Sequence, residues 1–274
     1  MPSGVQKTPL LVYLKRAYPL CPASALKEAV KKRDCRVNGE KAGADASVAG
    51  GDQVRLYLPD HFLTGPLPIL LDEGGLIACD KPAGLPVDRD EWGVGEDTAI
   101  SRLTALFPGC RLCHRLDAGT SGVLLAARDQ ETLEKVIDIF RARQVEKRYV
   151  CRVFGAPRPQ RGDMEDHLAR KNGRTVCDPR GQYASLSYAL RWTEGGESVV
   201  DVALLTGRTH QIRVQFARRG WPLKGDDLYG DREKNRAARA RGICLHCAEM
   251  ALMGKRILSP EPDWARKSEK GADQ

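Results

Sequence analysis

Past residue 68 the hydrophobic pattern changes period again and again, and this limits the chain to a sheet-rich fold. Ile69–Asp72 and Leu76–Asp80 read as two strands joined by the turn Glu73-Gly74-Gly75, after which Lys81-Pro82-Ala83-Gly84 breaks the run. Further strands are expected at Arg148–Phe154, Ala184–Trp192, Val199–Leu205 and Ile243–Ala248, with Gly195-Gly196 closing a hairpin. Helical spacing occurs over 130–143, where Leu133, Val136, Ile137 and Phe140 share a face, and a helix is expected at Gln211–Arg218. Strands in runs with interspersed helices predict an α+β domain with a mixed or antiparallel sheet, because strict βα alternation is missing. Its expected extent is 69–258.

Residues 1–60 read as a separate small α/β unit. Ser24 is a candidate helix cap, Leu26 and Val30 lie four apart on one face, and Lys31, Lys32 and Arg33 suit the negative end of the helix dipole. A strand at Cys35–Asn38, a tight turn at Asn38-Gly39 and a strand at Gln53–Leu58 follow. Residues 61–68 carry prolines and a glycine and read as a linker, and 259–274 read as a polar, frayed tail.

The stretch 110–129, CRLCHRLDAGTSGVLLAARD, admits three readings. Cys110-x-x-Cys113-His114 has the spelling of a haem-attachment site, but no leading segment resembles an export signal, and such attachment takes place outside the cytoplasm. Cys110 and Cys113 could make half of a zinc site with Cys244 and Cys247, yet both pairs fall in apolar or alternating segments rather than Gly-rich knuckles. Nine cysteines in a chain without an export signal or a membrane-length apolar run read as buried thiols of a cytoplasmic protein, with no metal expected. Asp117, before a Gly/Thr/Ser turn, is left as a catalytic carboxylate. The 44 Lys and Arg exceed the 36 Asp and Glu by eight, which suits an anionic partner without naming it.

His114-Arg115-Leu116-Asp117-Ala118-Gly119-Thr120-Ser121-Gly122 resembles the H-R-L-D-x-x-T-S-G signature of RluA-type pseudouridine synthases. Lys81-Pro82-Ala83-Gly84-Leu85-Pro86-Val87, Lys147-Arg148-Tyr149, Leu205-Thr206-Gly207-Arg208-Thr209-His210-Gln211-Ile212-Arg213 and Gly225-Asp226-Asp227-Leu228-Tyr229-Gly230 are similar to the family's other blocks and stand in its order. Gln215, where many relatives have histidine, and Cys247, where alanine is common, depart from the pattern. Val37-Asn38-Gly39 and Gly51-Asp52-Gln53-Val54, after a basic helix end, resemble the α-L RNA-binding domain of the S-four ribosomal type. That likeness implies RNA phosphate contacts by Lys31, Lys32 and Arg33, although cations there would serve equally as a solvated helix end.

The resemblance implies a pseudouridine synthase of mixed-sheet α+β fold that isomerises uridine without cofactor or metal. RNA is the implied partner, ribosomal RNA of the large subunit first and transfer RNA second, with neither DNA nor membrane and a monomeric chain expected. A non-catalytic RNA-binding or ribosome-assembly factor on the same scaffold is the rival reading. Asp117 is the implied catalytic group, either attacking the anomeric carbon or removing a sugar proton to give a glycal. A carboxylate withdrawn from water needs a counter-charge to remain ionised, and Arg213 is the implied partner. Tyr149 is implied to stack on the base and to accept or relay the proton from carbon 5. Arg115 is expected either to fill the place of the extruded nucleotide or to bind phosphate. His114 and His210 read as structural hydrogen-bonding residues.

Overall fold

The structure is a computed structural model that describes residues 7–18, 21, 23–58, 67–88 and 97–267. Most of the expected linker, 61–66, and the end of the tail lie outside these residues. Among the described residues no helix is long and apolar enough to cross a membrane.

The N-terminal unit contains β1 (Thr8–Pro9), α1 (Leu10–Ala17), α2 (Ala23–Lys31), β2 (Cys35–Val37), β3 (Glu40–Lys41), β4 (Ser47–Val48) and β5 (Val54–Leu56). Leu10, Leu14, Leu26, Val30 and Cys35 form its own apolar cluster. The helix starts one residue before the expected cap, so Ser24 is an interior position of α2 rather than its N-cap. At the other end Arg33 takes a left-handed backbone, φ 57°, and the Asp34 amide reaches back to the Ala29 carbonyl at 2.8 Å. The two short motifs of this unit are tied to each other. Asn38 Nδ2 donates to Asp52 Oδ1 at 2.9 Å, and Asn38 Oδ1 accepts the Gln53 amide at 2.9 Å. Asn38-Gly39 and Gly51-Asp52 are therefore fasteners between hairpin and loop.

The larger part runs β6 (Ile69–Glu73), β7 (Leu76–Lys81), α3 (Ala99–Leu106), β8 (Arg111–Leu112), β9 (Ser121–Ala127), α4 (Gln130–Arg141), β10 (Glu146–Phe154), β11 (Arg161–Lys171), β12 (Arg174–Cys177), β13 (Gln182–Glu194), β14 (Glu197–Leu204), α5 (Gln211–Arg218), α6 (Arg232–Ala237), β15 (Leu245–Leu252) and β16 (Lys255–Leu258). These strands form one sheet in the order β12-β11-β13-β14-β10-β15-β9-β7-β6, with β16 beside β15 and β8 beside β9. The pairs are antiparallel except β15 with β9, so the architecture is the α+β mixed sheet expected from the pattern. Val123–Ala127 of β9 are all buried, at 0–1% exposure, which is why this strand is a continuous apolar run without alternation. Burying each large side chain of this run stabilises the fold by about 1.5–3 kcal/mol, which holds β9 and the turn that precedes it in place.

Three expectations need correction. β15 starts at Leu245 and continues to Leu252, because Cys244 still belongs to the incoming loop, where its N–H donates to the Lys224 carbonyl at 2.9 Å. The charged segments that form β11 and β12 were not anticipated as strands. The tail is not frayed from Ser259: Ser259 Oγ donates to Asp80 Oδ1 at 2.8 Å, and Trp264 and Ala265 pack on Val150, Val199 and Trp192. As for the cysteine pairs, Cys247 sits opposite Gly122 at one end of β9, while Cys110 precedes the residue paired with Ala127 at the other. Five strand residues, roughly 15 Å, separate them. Among the described residues no three His, Cys, Asp or Glu side chains are placed to hold a metal.

Candidate active site

Asp117 sits in the turn that feeds β9, closed by the Thr120 amide to the Asp117 carbonyl at 2.9 Å. Gly122 allows that entry: its φ is 107°, and a Cβ there would lie 2.1 Å from the Cys247 carbonyl oxygen of β15. His114 anchors the front of the turn, its Nε2 accepting the Leu125 amide at 3.0 Å. Burial pushes the His114 pKa down to about 4, so the ring is the neutral acceptor this bond requires. Lys81 anchors the back. Its ammonium is fully buried and donates to the carbonyls of Pro82 (2.9 Å), Leu85 (2.8 Å) and Ala118 (2.9 Å), the residue after Asp117. Those three acceptors complete its donor set, while burial pulls its pKa down to about 7 against the opposing pull of Asp117.

Arg213 projects from α5 and uses its three nitrogens on two carboxylates. Nε and Nη2 bond Asp226 Oδ2 and Oδ1 at 2.8 and 2.9 Å, and Nη1 bonds Asp117 Oδ2 at 3.0 Å. Burial opposes its charge, but Asp226 and Asp117 outweigh burial and raise the guanidinium pKa further. Asp226 is itself 1% exposed and accepts the Leu228 and Tyr229 amides, each at 2.9 Å. Burial works against that carboxylate, yet Arg213 and these amides hold its pKa below the usual range. Asp117 Oδ2 is thus occupied, and among the described residues Oδ1 has no hydrogen-bond partner.

The loop before α5 is pinned from within. Thr206 Oγ1 donates to Gln211 Oε1 at 2.7 Å and accepts the Ser185 amide at 2.9 Å, and Gln211 Nε2 donates to the Ser185 carbonyl at 3.1 Å. These bonds tie Thr206 and Gln211 to β13, and Arg208 and His210 line the cleft beside Gln211. His210 Nδ1 lies 2.8 Å from Tyr229 Oη, and its Nε2 lies 3.7 Å from Asp117 Oδ2. Gln215, two residues beyond Arg213, faces away and bonds the Met164 carbonyl and Asp166 on β11.

Tyr149 lies on β10, paired with Val202 and Cys247, where the register shifts by one residue against β15. It is 7% exposed yet contributes to the cleft wall. Burial first, then the Cys247 thiol and Asp117, push its pKa well above the ordinary phenol value, so the hydroxyl keeps its proton. The cleft holds about 860 Å³ and is bounded by Asp117, Tyr149 and Arg213, with Arg115, Lys147, Arg170 and Arg208 along it.

Among the described residues none of those last four cations enters an ion pair. A second hollow of about 740 Å³ over β13 and β14 lacks this imbalance, since its Arg191 is shared by Asp201 at 2.6 Å and Glu261 at 2.7 Å. The net positive cleft is therefore the one suited to a polyanion.

The structure brings Asp117, Tyr149 and Arg213 together, with Arg115 exposed beside them. Lys31, Lys32 and Arg33 form no part of this cleft; they are exposed at the end of α2, where Lys32 meets Glu28 at 3.4 Å. Lys81 and Asp226 belong to quoted motifs but carried no expected role. The signal that could have singled them out is a charged residue in an otherwise apolar or glycine-bounded block.

Residues 75–218 match the family described as RNA pseudouridylate synthase. The chain is 29% identical over 281 aligned positions to ribosomal large subunit pseudouridine synthase C of Rickettsia felis, covering 89% of this chain and 90% of that one. It is 31% identical to ribosomal large subunit pseudouridine synthase D of Xanthomonas campestris, covering 79% and 70%. The solved structure of human RNA pseudouridylate synthase domain containing 4 superposes with a TM-score of 0.61 at 24% identity, over 72% of this chain and 90% of that one, which speaks for the fold alone.

Proposed function

Because the chain belongs to the RNA pseudouridylate synthase family and is an isomerase acting on RNA, we propose that Asp117 performs the reaction on a uridine of large-subunit ribosomal RNA. The observation that carries this reading is the single open oxygen of Asp117, Oδ1, at the floor of a cleft whose other cations are uncompensated.

A uridine extruded from its stack brings its ribose against Oδ1, at an unstacking cost of a few kcal/mol offset by backbone contacts along the cleft. Oδ1 then either bonds the anomeric carbon as the base nitrogen leaves, or takes the proton of the adjacent sugar carbon to leave a glycal. The freed uracil turns and its carbon 5 bonds the anomeric carbon, displacing Oδ1 on the first route or with the sugar proton handed back by Asp117 on the second. The carbon-5 proton then leaves, and the ring nitrogen that lost the sugar ends protonated. Tyr149, protonated, offers a flat face for the base and a hydroxyl that relays the proton. Arg213, fixed by Asp226, holds Oδ2 and the carboxylate's orientation. Arg115 occupies the place the nucleotide leaves, or takes a phosphate. The unit at 1–60 binds flanking RNA through Lys31, Lys32 and Arg33, supported by their exposure at one helix end. The names of the relatives favour ribosomal over transfer RNA.

The test is to incubate the protein with unmodified large-subunit ribosomal RNA and, separately, with transfer RNA, and to map pseudouridine. Product is expected in the ribosomal RNA, and product in transfer RNA alone would overturn the substrate. Asp117→Asn is expected to bind RNA and form no product. Turnover in that variant would remove Asp117 from the reaction.

A further inference from the structure

His210 begins α5 in a conformation that a chain does not adopt by default. Its φ of 56° and ψ of 21° are left-handed, a region that favours glycine and, among other residues, asparagine, aspartate and histidine. The turn accommodates an imidazole, and this backbone sets the direction in which the ring leaves the chain, between Tyr229 and Asp117.

The ring's two nitrogens have different neighbours. Tyr229 Oη accepts the Thr175 amide at 2.8 Å and lies 2.8 Å from His210 Nδ1. A phenol has one proton. With an amide proton already directed at its oxygen, Tyr229 has Nδ1 as the one hydrogen-bond acceptor for its own proton among the described residues, which requires Nδ1 to be bare. The remaining imidazole proton belongs on Nε2, and Nε2 faces Asp117 Oδ2 at 3.7 Å. The opposite tautomer would set a nitrogen lone pair against a carboxylate and leave the phenol proton without an acceptor.

The charged groups around the ring are Asp117, Arg213, Asp226 and Arg170. Burial disfavours a second proton on the ring, Asp117 and Asp226 favour one, and the two guanidiniums oppose it; the balance holds the His210 pKa below its ordinary 6.5. The ring is therefore neutral above pH 6.5.

We propose that His210 is a positioning residue, a neutral Nε2–H donor whose tautomer is set by Tyr229 and which closes on Asp117 Oδ2 when RNA fills the cleft. At 3.7 Å the contact is longer than a hydrogen bond, and it tightens as the ligand displaces water. With Arg213 on the same oxygen, the carboxylate cannot exchange its two oxygens by rotation, and Oδ1 alone meets the ribose. This inference rests on the reading of Asp117 as the reacting group.

Two measurements on the full-length protein test it. In ¹⁵N-histidine-labelled protein, which has only five histidines, the His210 resonances are assigned by their loss in His210→Asn. From about pH 7 to 8 they should show a protonated Nε2 and a bare Nδ1, and Tyr229→Phe should bring in the Nδ1–H form. In single-turnover assays His210→Asn, which tolerates the left-handed backbone but stops short of Asp117, should slow product formation roughly 10- to 100-fold with RNA affinity unchanged. His210→Gln, whose amide nitrogen extends about as far as Nε2, should recover most of that loss. A histidine that served only folding would weaken RNA binding and stability together, and glutamine would do no better than asparagine.

An Nδ1-protonated or doubly protonated ring across that pH range overturns the proposal, as does a wild-type rate in His210→Asn. Should the wild-type protein modify no RNA offered, the reading of Asp117 falls while the nitrogen spectra still decide the tautomer. Should Asp117→Asn be inactive and His210→Asn fully active, only the present inference falls.

Discussion

Asp226 grips Arg213 through two parallel hydrogen bonds of 2.8 and 2.9 Å and thereby leaves one guanidinium nitrogen for Asp117. The pair is withdrawn from water on the Asp226 side, which is 1% exposed, so each partner depends on the other to offset desolvation. Asp226→Asn keeps the shape, removes the charge and frees Arg213 to swing. The expected result is a loss of about 3–5 kcal/mol in stability, and a fall in single-turnover rate of at least tenfold with RNA affinity within about twofold. Denaturant titration and rate measurements check the two halves separately.

Arg213→Lys tests whether charge or shape matters. A lysine ammonium carries its three donors on one nitrogen and lacks the planar fork that gives Asp226 two parallel bonds while a third, separate nitrogen reaches Asp117. The rate should fall by roughly 10²-fold, with the folded protein retained. A near-normal rate would mean that a point charge near Asp117 is sufficient.

Lys81 holds the Asp117 turn from beneath, through Ala118. Lys81→Met fills the same volume but leaves three carbonyls without their donor. Unsatisfied buried acceptors cost about 1–3 kcal/mol each, partly offset by removing a buried charge. The melting temperature should drop, and the rate should drop by more than the unfolded fraction explains, because the turn bearing Asp117 loses its tie. Equal losses would reduce Lys81 to a stability role.

The division between what could and could not be read beforehand follows physical lines. β7 and α4 were legible because a short apolar run behind a Gly-Gly turn and the threefold-to-fourfold spacing of Leu133, Val136, Ile137 and Phe140 leave few alternatives. β11 was not, because its inward positions include Asp166, which is satisfied by Arg219 and Gln215 at 2.8 Å each rather than by apolar contact. A strand that buries a carboxylate looks like a loop until its partners are known. The tail misled for a related reason: Ser259 and Trp264 find their partners in Asp80 and Val150, far back in the chain. In the site, Asp117, Tyr149 and Arg213 stood out through motif order. Lys81 did not, since lysine is expected at the surface, and the fork between Arg213 and Asp226 depends on a loop path that no local pattern encodes.

His114 predicts a pH dependence of stability. Its folded pKa is about 4 against an ordinary 6.5, so between those values the unfolded chain binds a proton that the folded chain does not. Stability is therefore fully present above about 6.5 and is lost as pH falls toward 4. His114→Gln retains an acceptor for the Leu125 amide and cannot titrate. Denaturant midpoints measured across this window should slope in the wild type and be flatter in the variant. Parallel curves would show that His114 does not titrate between the two states.

The uncompensated cations predict where salt acts. Each phosphate contact made by a lysine or arginine contributes about −0.7 to −0.9 to the slope of log affinity against log salt. Lys147 has a half-open position against Gly207, with its Nζ 3.7 Å from where a Cβ would stand, and burial pulls its pKa down, helped by Arg143 and Arg208 and opposed by Cys247. A cation so crowded by others is relieved by an anion. Lys147→Gln or Arg208→Gln should weaken RNA binding and flatten the salt slope by roughly one contact. Arg128, past the far end of β9, is already held by Asp72 at 3.0 Å, so Arg128→Gln should leave the slope unchanged. If all three variants shift the slope alike, the RNA follows general surface charge, and the cleft around Asp117 loses its claim to be the path of the strand.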